Sequence, residues 1–446
     1  MTSLVAIGPQ RRPGAEQKSR RSVGVHAFSW GDNPSGALLT RTVARSPVPA
    51  PVGLPDGTST VALGADFSVA LTSGGTVWAW GANDFGQLGD GTTTSRLSPV
   101  RVRVPGRVRA VSAGRHHVVA LTTNGRVLGW GRNHLGQLGD GTTTDRSVPT
   151  FASTPQRFSA LSGGDVHTLG IAGGRAWAWG GGSAITGPAG PVLAPAQVPL
   201  PADLRVRSVS AGAWVSAVLT REGRALAWGR GAGSAAQPLT VSEDAIAVSA
   251  GRSQVLAVMS DGGVAAWGTN SQGELGDGST TLRRDPVTWR LPNGERIHQL
   301  DVADGHAVVL TRSGKLYCWG ANRVGQAGVG PGPDQLSPTE ITALAGVRAI
   351  GFAVGHHHGV VLAHHGPPVR LRVSLQNPTV RVNRPTGIRV REVDVFDTDL
   401  GPANSVPITV NGQPVRGDQF VVTAPGTYLV VAQQGQLRGS LRVGAS

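Results

Sequence analysis

Histidines stand in three runs in this chain: His116-His117, His356-His357-His358 and His364-His365. Imidazoles grouped in this way could ligate a metal or carry a proton near neutral pH. Adjacent residues on a strand point to opposite faces, however, so neighbours in a run do not chelate one ion together. Asp90, Asp140 and Asp277 each stand in a Gly-Asp-Gly triplet. No D-x-D-x-D-G pattern follows them, so they predict turns rather than calcium ligands. Asp394, Asp397 and Asp399 make a small acidic loop, expected to be solvated. The single cysteine, Cys318, lies in the apolar segment KLYCWG and predicts a buried thiol rather than a nucleophile; alone, it excludes an intramolecular disulfide. There is no G-x-S-x-G elbow, no phosphate-binding loop and no Cys-His signature. These residues predict no catalytic centre, no metal site and no cofactor.

The elements that would have to position any site are legible as a repeat. Trp-Gly occurs seven times, at Trp30, Trp80, Trp130, Trp179, Trp228, Trp267 and Trp319, with steps of 50, 50, 49, 49, 39 and 52 residues. Such a period suits a four-stranded sheet with its loops, one blade of a β-propeller, and seven anchors predict seven blades. Upstream of each anchor come a glycine, a short apolar run and a turn, as in GRHHVVALTTNGRVLGWG from Gly114. In that unit Val108–Ser112, His117–Thr122, Arg126–Trp130 and Val148–Ala152 read as strands. The 113–116 turn and the 131–146 loop then emerge on one face, opposite the Thr123-Asn124-Gly125 hairpin. The last half-unit, GHHHGVVLAHHG from Gly355, has no Trp-Gly after it, while Trp30 has no complete half-unit before it. We therefore expect one blade to combine residues near 346–364 with residues near 22–46, which closes the ring and hides its edges.

Four loops after the anchors match closely: NDFGQLGDG (83–91), NHLGQLGDG (133–141), NSQGELGDG (270–278) and NRVGQAGVG (322–330). With the Trp-Gly anchors, they resemble the repeat of the regulator of chromosome condensation family, over roughly residues 22–364. DNPSGALL, GGSAITGPAG and RGAGSAAQPL, after Trp30, Trp179 and Trp228, depart from that repeat. The family histidine falls at His117, His167, His306 and His358, where the resemblance implies packing in the turn; Phe67, Val215 and Gln254 replace it elsewhere. The resemblance implies an all-β, seven-bladed propeller that presents loops to a protein partner. It does not imply one activity, since family members include a GTPase exchange factor and ubiquitin-ligase domains. No inter-anchor step exceeds 52 residues, which leaves little room for the exchange factor's projecting wedge, so that role ranks last.

The net charge of +14 raises nucleic acid as a partner. Residues 1–22 and 366–446 each carry +4, leaving +6 over the repeats with no basic stripe, so nucleic acid is not the expected partner. Two lysines against 39 arginines reads as GC-rich, bacterial coding. Residues 1–21 are expected to form a disordered basic tail, because Leu4–Ile7 is too short for a signal-peptide core. No stretch reaches the length of a membrane-spanning helix.

The domain boundaries are set at 22–365 for the propeller and 366–446 for a second domain, with Gly366-Pro367-Pro368 as linker. Alternating segments 369–376, 386–396, 406–415, 419–434 and 437–445 follow, with a hairpin at Asn411-Gly412. They resemble a bacterial immunoglobulin-like sandwich. Such domains favour a secreted or cell-surface protein, whereas the absent signal peptide favours the cytoplasm.

Exposed aromatics carry the functional reading. The seven anchors, with Trp78 and Trp177, are expected in the core. Trp214, Phe85 and Leu135 fall on turns and loops of one face, and Trp289 lies just before a turn. Large apolar groups on loops are typical interface anchors, although they can equally fold back under their own loops. The expected function is a non-enzymatic, monomeric protein-interaction module; carbohydrate or cell-wall binding through Trp214 and Trp289 is the alternative.

Overall fold

The structure is a computed structural model that describes residues 5–6, 25–40, 44–181, 190–230, 232–234, 237–364 and, with short interruptions, 368–445. Most of the expected tail, the segment 182–189, Gly366-Pro367 and the acidic loop around Asp397 lie outside the described residues. The chain divides into two compact units, residues 1–343 with 349–363, and residues 344–348 with 364–446. Both are built from strands; the described helices are two three-residue 3₁₀ turns, Pro292–Gly294 and Thr342–Leu344.

Seven antiparallel sheets of four main strands make up the first unit, each containing one Trp-Gly. The Trp130 sheet runs Val108–Ala113, His117–Thr122, Val127–Gly131 and Arg146–Phe151. Second strands such as Phe67–Thr72 and Val215–Thr220 are buried along their whole length. Both of their faces meet a neighbouring sheet, which explains the continuous apolar runs. Fourth strands such as Arg96–Val102 are largely open. The first strand of each sheet touches the first strand of the next, and Ala349–Val354 touches Thr58–Leu63, so the cycle is closed. The Trp30 sheet joins the two ends of the repeat region: His26–Asp32 pairs with His358–Ala363 on one side and with Arg45–Val52 on the other. Val5–Ala6, within the expected tail, pairs with Ile297–Val302 on the inner edge of the Trp319 sheet.

Side chains stitch sheet to sheet. All seven anchor tryptophans are buried. Trp80, Trp130, Trp319 and Trp30 each donate Nε1–H to a carbonyl in the preceding sheet's long loop, at Ala37, Gln87, Glu274 and Gln326, over 2.8–3.0 Å. The indoles of Trp130, Trp319 and Trp30 also need a bare glycine beneath them, at Gly89, Gly276 and Gly328; a β-carbon at Gly89 would lie 2.8 Å from the Trp130 ring. The family histidines form a second set of stitches. Nε2 of His117, His167 and His358 meets the hydroxyl of Thr168, Ser216 and Ser68 in the next sheet at 3.0–3.2 Å. For His306 the corresponding residue is Gly359, where the Trp30 ring leaves no room for a β-carbon, and neither His306 nitrogen has a hydrogen-bond partner among the described residues. Burial pushes these four imidazoles down to about 3 or 4, so they remain neutral.

On the inner strands, Ser112, Ser162, Ser210 and Ser249 accept the backbone N–H of Gly163, Ala211, Ala250 and Val302 in the next sheet. Asp301 takes this role toward Val354, and burial pushes its carboxyl up to about 7. A carboxyl held at about 7 instead of 3.8 costs roughly 4 kcal/mol of stability at pH 8, and that cost develops as pH rises from about 4 to 7. Asp301→Ser keeps the acceptor and removes the charge. It should raise the melting temperature at pH 8, with the gain shrinking toward pH 4. A variant that melts at or below the parent at pH 8 would show that the carboxyl carries no such cost.

The second unit has two four-stranded sheets. Val373, Ile388 and Val390 from one and Ile408, Val430, Ala432 and Val443 from the other share an apolar core. Asn411 and Gly412 both take positive φ in the hairpin joining Ile408–Val410 to Gln413–Val415. Asp399–Pro402, not expected from the sequence, adds an edge strand to the first sheet.

Candidate functional site

At the end of the sheets that carries the long loops, the turns between first and second strands bond to one another around the cycle. Ala65 donates to Arg115, Arg115 to Gly164, Asp165 to Gly212, Ala213 to Gly251, and His356 to Gly64, all N–H to carbonyl at 3.0–3.3 Å. These bonds link six short turns from across the sequence, and Gln254 Nε2 donates to the Ala303 carbonyl at 3.2 Å, which joins the seventh turn to them.

Their side chains are charged, and they neutralise one another there. Nε2 of the buried His356 lies 3.1 Å from Asp165 Oδ1, and its Nδ1 lies 3.6 Å from Asp304 Oδ2. Arg115 contacts Asp165 at 3.5 Å and Arg252 contacts Asp304 at 3.6 Å. Burial disfavours the charged imidazolium of His356, but the two carboxylates outweigh it and hold its pKa above the ordinary value. Asp165 is desolvated as well, yet His356 and Arg115 pull it down to about 2. Only one of these groups was in a run singled out from sequence, since the cluster draws on turns up to 241 residues apart (115 to 356). Among the described residues, no three His, Cys, Asp or Glu side chains are placed to hold a metal.

The long loops are braced from within. Asn83 Oδ1 accepts from Leu88 N–H at 2.9 Å, while its amide donates to the carbonyls of Thr92 and Thr94. Asp90 accepts from the Thr92 hydroxyl at 2.7 Å and from Arg96 Nη2 at 2.7 Å. The same clamp recurs as Asn133, Asp140, Thr142 and Arg146, and as Asn270, Asp277, Ser279 and Arg283. The aspartates of the Gly-Asp-Gly triplets thus do more than turn the chain. Their partner was legible as a second constant position: GDGTTTSR, GDGTTTDR and GDGSTTLR place arginine six residues on. DNPSGALL, although divergent, reproduces the bracket, with Leu38 N–H donating to Asn33 Oδ1 at 2.8 Å.

Phe85, Leu135 and Trp214 lie on this face. Phe85 is half-buried, 5.1 Å from the His116 ring, with the Arg132 guanidinium 4.6 Å from its centroid. Leu135 occupies the equivalent place one sheet on and is also half-buried. Trp214 is the open one, 38 % exposed. Its backbone joins two arginines, receiving the N–H of Arg230 and donating to the carbonyl of Arg252. Trp289 does not belong with them. It sits in the fourth strand Arg283–Arg290, opposite Val264 toward the hairpin end, donates Nε1–H to Leu275 O at 2.9 Å and meets Trp319 edge-on at 5.2 Å. An indole with its N–H committed and its ring against a neighbouring core packs sheets together.

One irregularity opens the face. The step from Trp228 to Trp267 is 39 residues, and the intervening loop lacks the Gly-x-Leu-Gly stretch of the 83–91, 133–141 and 270–278 loops. Trp267 instead donates Nε1–H to Arg284 O within its own sheet, at 2.9 Å. Beside it lies a cleft of about 610 Å³ lined by Arg230, Arg252, Thr269, Gln272, Leu282 and Arg284. Sequence reasoning passed over these arginines, although the short step marked the place.

Models of the regulator of chromosome condensation (RCC1) repeat match residues 59–87, 74–121, 108–137, 124–171, 297–326 and 313–362. The chain thus carries RCC1 repeats. It is 33 % identical over 119 residues to the ultraviolet-B receptor UVR8 of Arabidopsis thaliana, covering 27 % of each chain. It is 28 % identical over 194 residues to the human probable E3 ubiquitin-protein ligase HERC6, covering 41 % of this chain and 19 % of that one. These alignments span no more than about a quarter of the relatives' own length. Human WBSCR16 superposes with a TM-score of 0.67 at 23 % identity, covering 76 % of this chain and 98 % of that one. Yeast RCC1 (Prp20), solved with Kap60 bound to it, gives 0.67 at 20 % identity, covering 80 % and 96 %. Both show an RCC1-like propeller fold.

Proposed function

We propose that the chain is a non-enzymatic protein-interaction module. In this reading the seven sheets are the blades of one propeller, the second unit is an immunoglobulin-like sandwich, and the long-loop face receives a protein partner. The observation that carries it is the bracing of that face: at least three loops are locked by the same Asn-Asp-Arg clamp, which holds half-buried Phe85 and Leu135 in fixed positions on the face that also carries exposed Trp214. A preorganised surface loses little entropy on association. The solved complex of yeast RCC1 with Kap60 is in keeping with a propeller of this kind binding protein.

The test is affinity capture with the intact protein, followed by measurement of the captured partner against Phe85→Ala and Trp214→Ala. Each should weaken binding by about tenfold or more, a central aromatic contributing ~2 kcal/mol, while the melting temperature moves only a few degrees. Unchanged partner affinity in both variants would defeat the reading. Competition by soluble glycans would transfer the face to carbohydrate binding.

A further inference from the structure

We propose that the cleft between the Trp228 and Trp267 sheets takes an acidic peptide segment carrying an apolar residue, a specificity that rests on the face being a protein-binding one. Arg230, Arg252 and Arg284 are exposed at its walls. Three other arginines of this face, Arg96, Arg146 and Arg283, are spent on the loops' own aspartates. Arg230 and Arg284 have no carboxylate within ion-pair distance among the described residues, and Arg252 reaches Asp304 only at 3.6 Å with its side chain 62 % exposed. Guanidinium groups left unpaired around a concavity present forked donors suited to carboxylates.

The remaining lining decides which anion. Leu282 is 53 % exposed at the rim and Trp214 stands next to Arg230, so apolar area adjoins the charge. Thr269, Ser271 and Gln272 supply donors and acceptors for a peptide backbone. Two acids, Glu274 and Asp304, also line the cleft. They would repel a continuous phosphate chain, whereas a peptide can space its carboxylates around them. Trp267, the one aromatic lining the cleft among the described residues, is only 4 % exposed and offers no stacking platform for a base.

The experiment is fluorescence anisotropy of the full chain with a labelled peptide of alternating aspartate and leucine, and with a labelled single-stranded oligonucleotide of equal charge. Arg230→Glu with Arg284→Glu is compared with Arg101→Glu and Arg103→Glu, exposed arginines at the hairpin end of the Trp80 sheet that change net charge equally. The peptide should bind, weaken with salt, and lose about tenfold or more in affinity in the cleft variant and little in the control. Leucine-to-serine replacement in the peptide should weaken it further. The assignment is overturned if both double variants bind the peptide alike, or if the oligonucleotide binds as tightly and displaces it. Because Phe85→Ala lies three sheets away, loss of the captured partner there with an unchanged cleft-variant titration would sink the cleft alone. Loss in neither would sink the reading of the whole face.

Discussion

Deleting residues 1–46 should destabilise the entire first unit, whereas deleting 1–20, which among the described residues removes the two-residue pairing of Val5–Ala6, should change little. The larger deletion takes away His26–Asp32, the strand between His358–Ala363 and Arg45–Val52. With it go Trp30, fully buried and bonded to Gln326 O, and Ala37, whose carbonyl accepts both Trp80 Nε1–H and the Ser68 hydroxyl. Loss of one buried tryptophan alone costs about 3–5 kcal/mol. Here the stitches to both neighbouring sheets fail together and a strand edge is exposed, so the loss is comparable with the roughly 5–15 kcal/mol that holds a domain folded. Thermal melts of the two truncations decide it. Equal melting temperatures would mean that the N-terminal strands are ornamental and the cycle is held closed by other contacts.

His356→Leu should have the second large effect. It leaves Asp165, with its side chain 8 % exposed, without its buried cation, and Asp304 loses a partner as well. Removing one member of a buried ion cluster costs about 3–5 kcal/mol, mostly through the uncompensated charge that remains. His356→Leu combined with Asp165→Asn should recover much of that loss, because the stranded carboxylate is gone. The pH dependence follows from the directions of the shifts. With its folded pKa raised above 6.5, His356 contributes stability that is complete below that value and is lost as pH rises through the folded pKa. Asp165, pushed down to about 2, contributes stability that is complete above its ordinary value of 3.8 and is lost as pH falls toward 2. The cluster therefore stabilises most between about pH 4 and 6.5. His356→Leu should flatten the alkaline side of the melting profile. A variant that melts like the parent at pH 6 would show that the central cluster contributes nothing to holding the turns together.

Much of this architecture is local and periodic, and so was readable from residues. Trp-Gly spacing marked all seven third strands, and the strands expected around Trp130 differ from the observed ones by at most two residues at either end. The orphan half-units at Gly355 and Trp30 pointed to the two segments that share a sheet. Asn411-Gly412 marked its hairpin because both residues accept positive φ. Phe85, Leu135 and Trp214 were assigned to the long-loop face because strand direction alternates, and a turn's face follows from counting strands. Trp289 escaped that counting. Whether an indole beside a turn faces solvent or a neighbouring core depends on the adjacent sheet, here on Leu275 and Trp319.

The sequence by itself determined the repeat, its number, the strands within it and the turns that hold them. These depend on alternation and turn chemistry within about 50 residues, and each copy restates them. Tertiary structure alone decided what those copies bring together. His356 meets Asp165 and Asp304 only because the cycle closes and points seven turns at one centre, a juxtaposition that no spacing along the chain encodes. Likewise, a loop ten residues short reads as a mere irregularity until the next sheet is set against it. Trp267 is then left without its counterparts' cap, and beside it lies a cleft whose Arg230 and Arg284 have no carboxylate partner among the described residues.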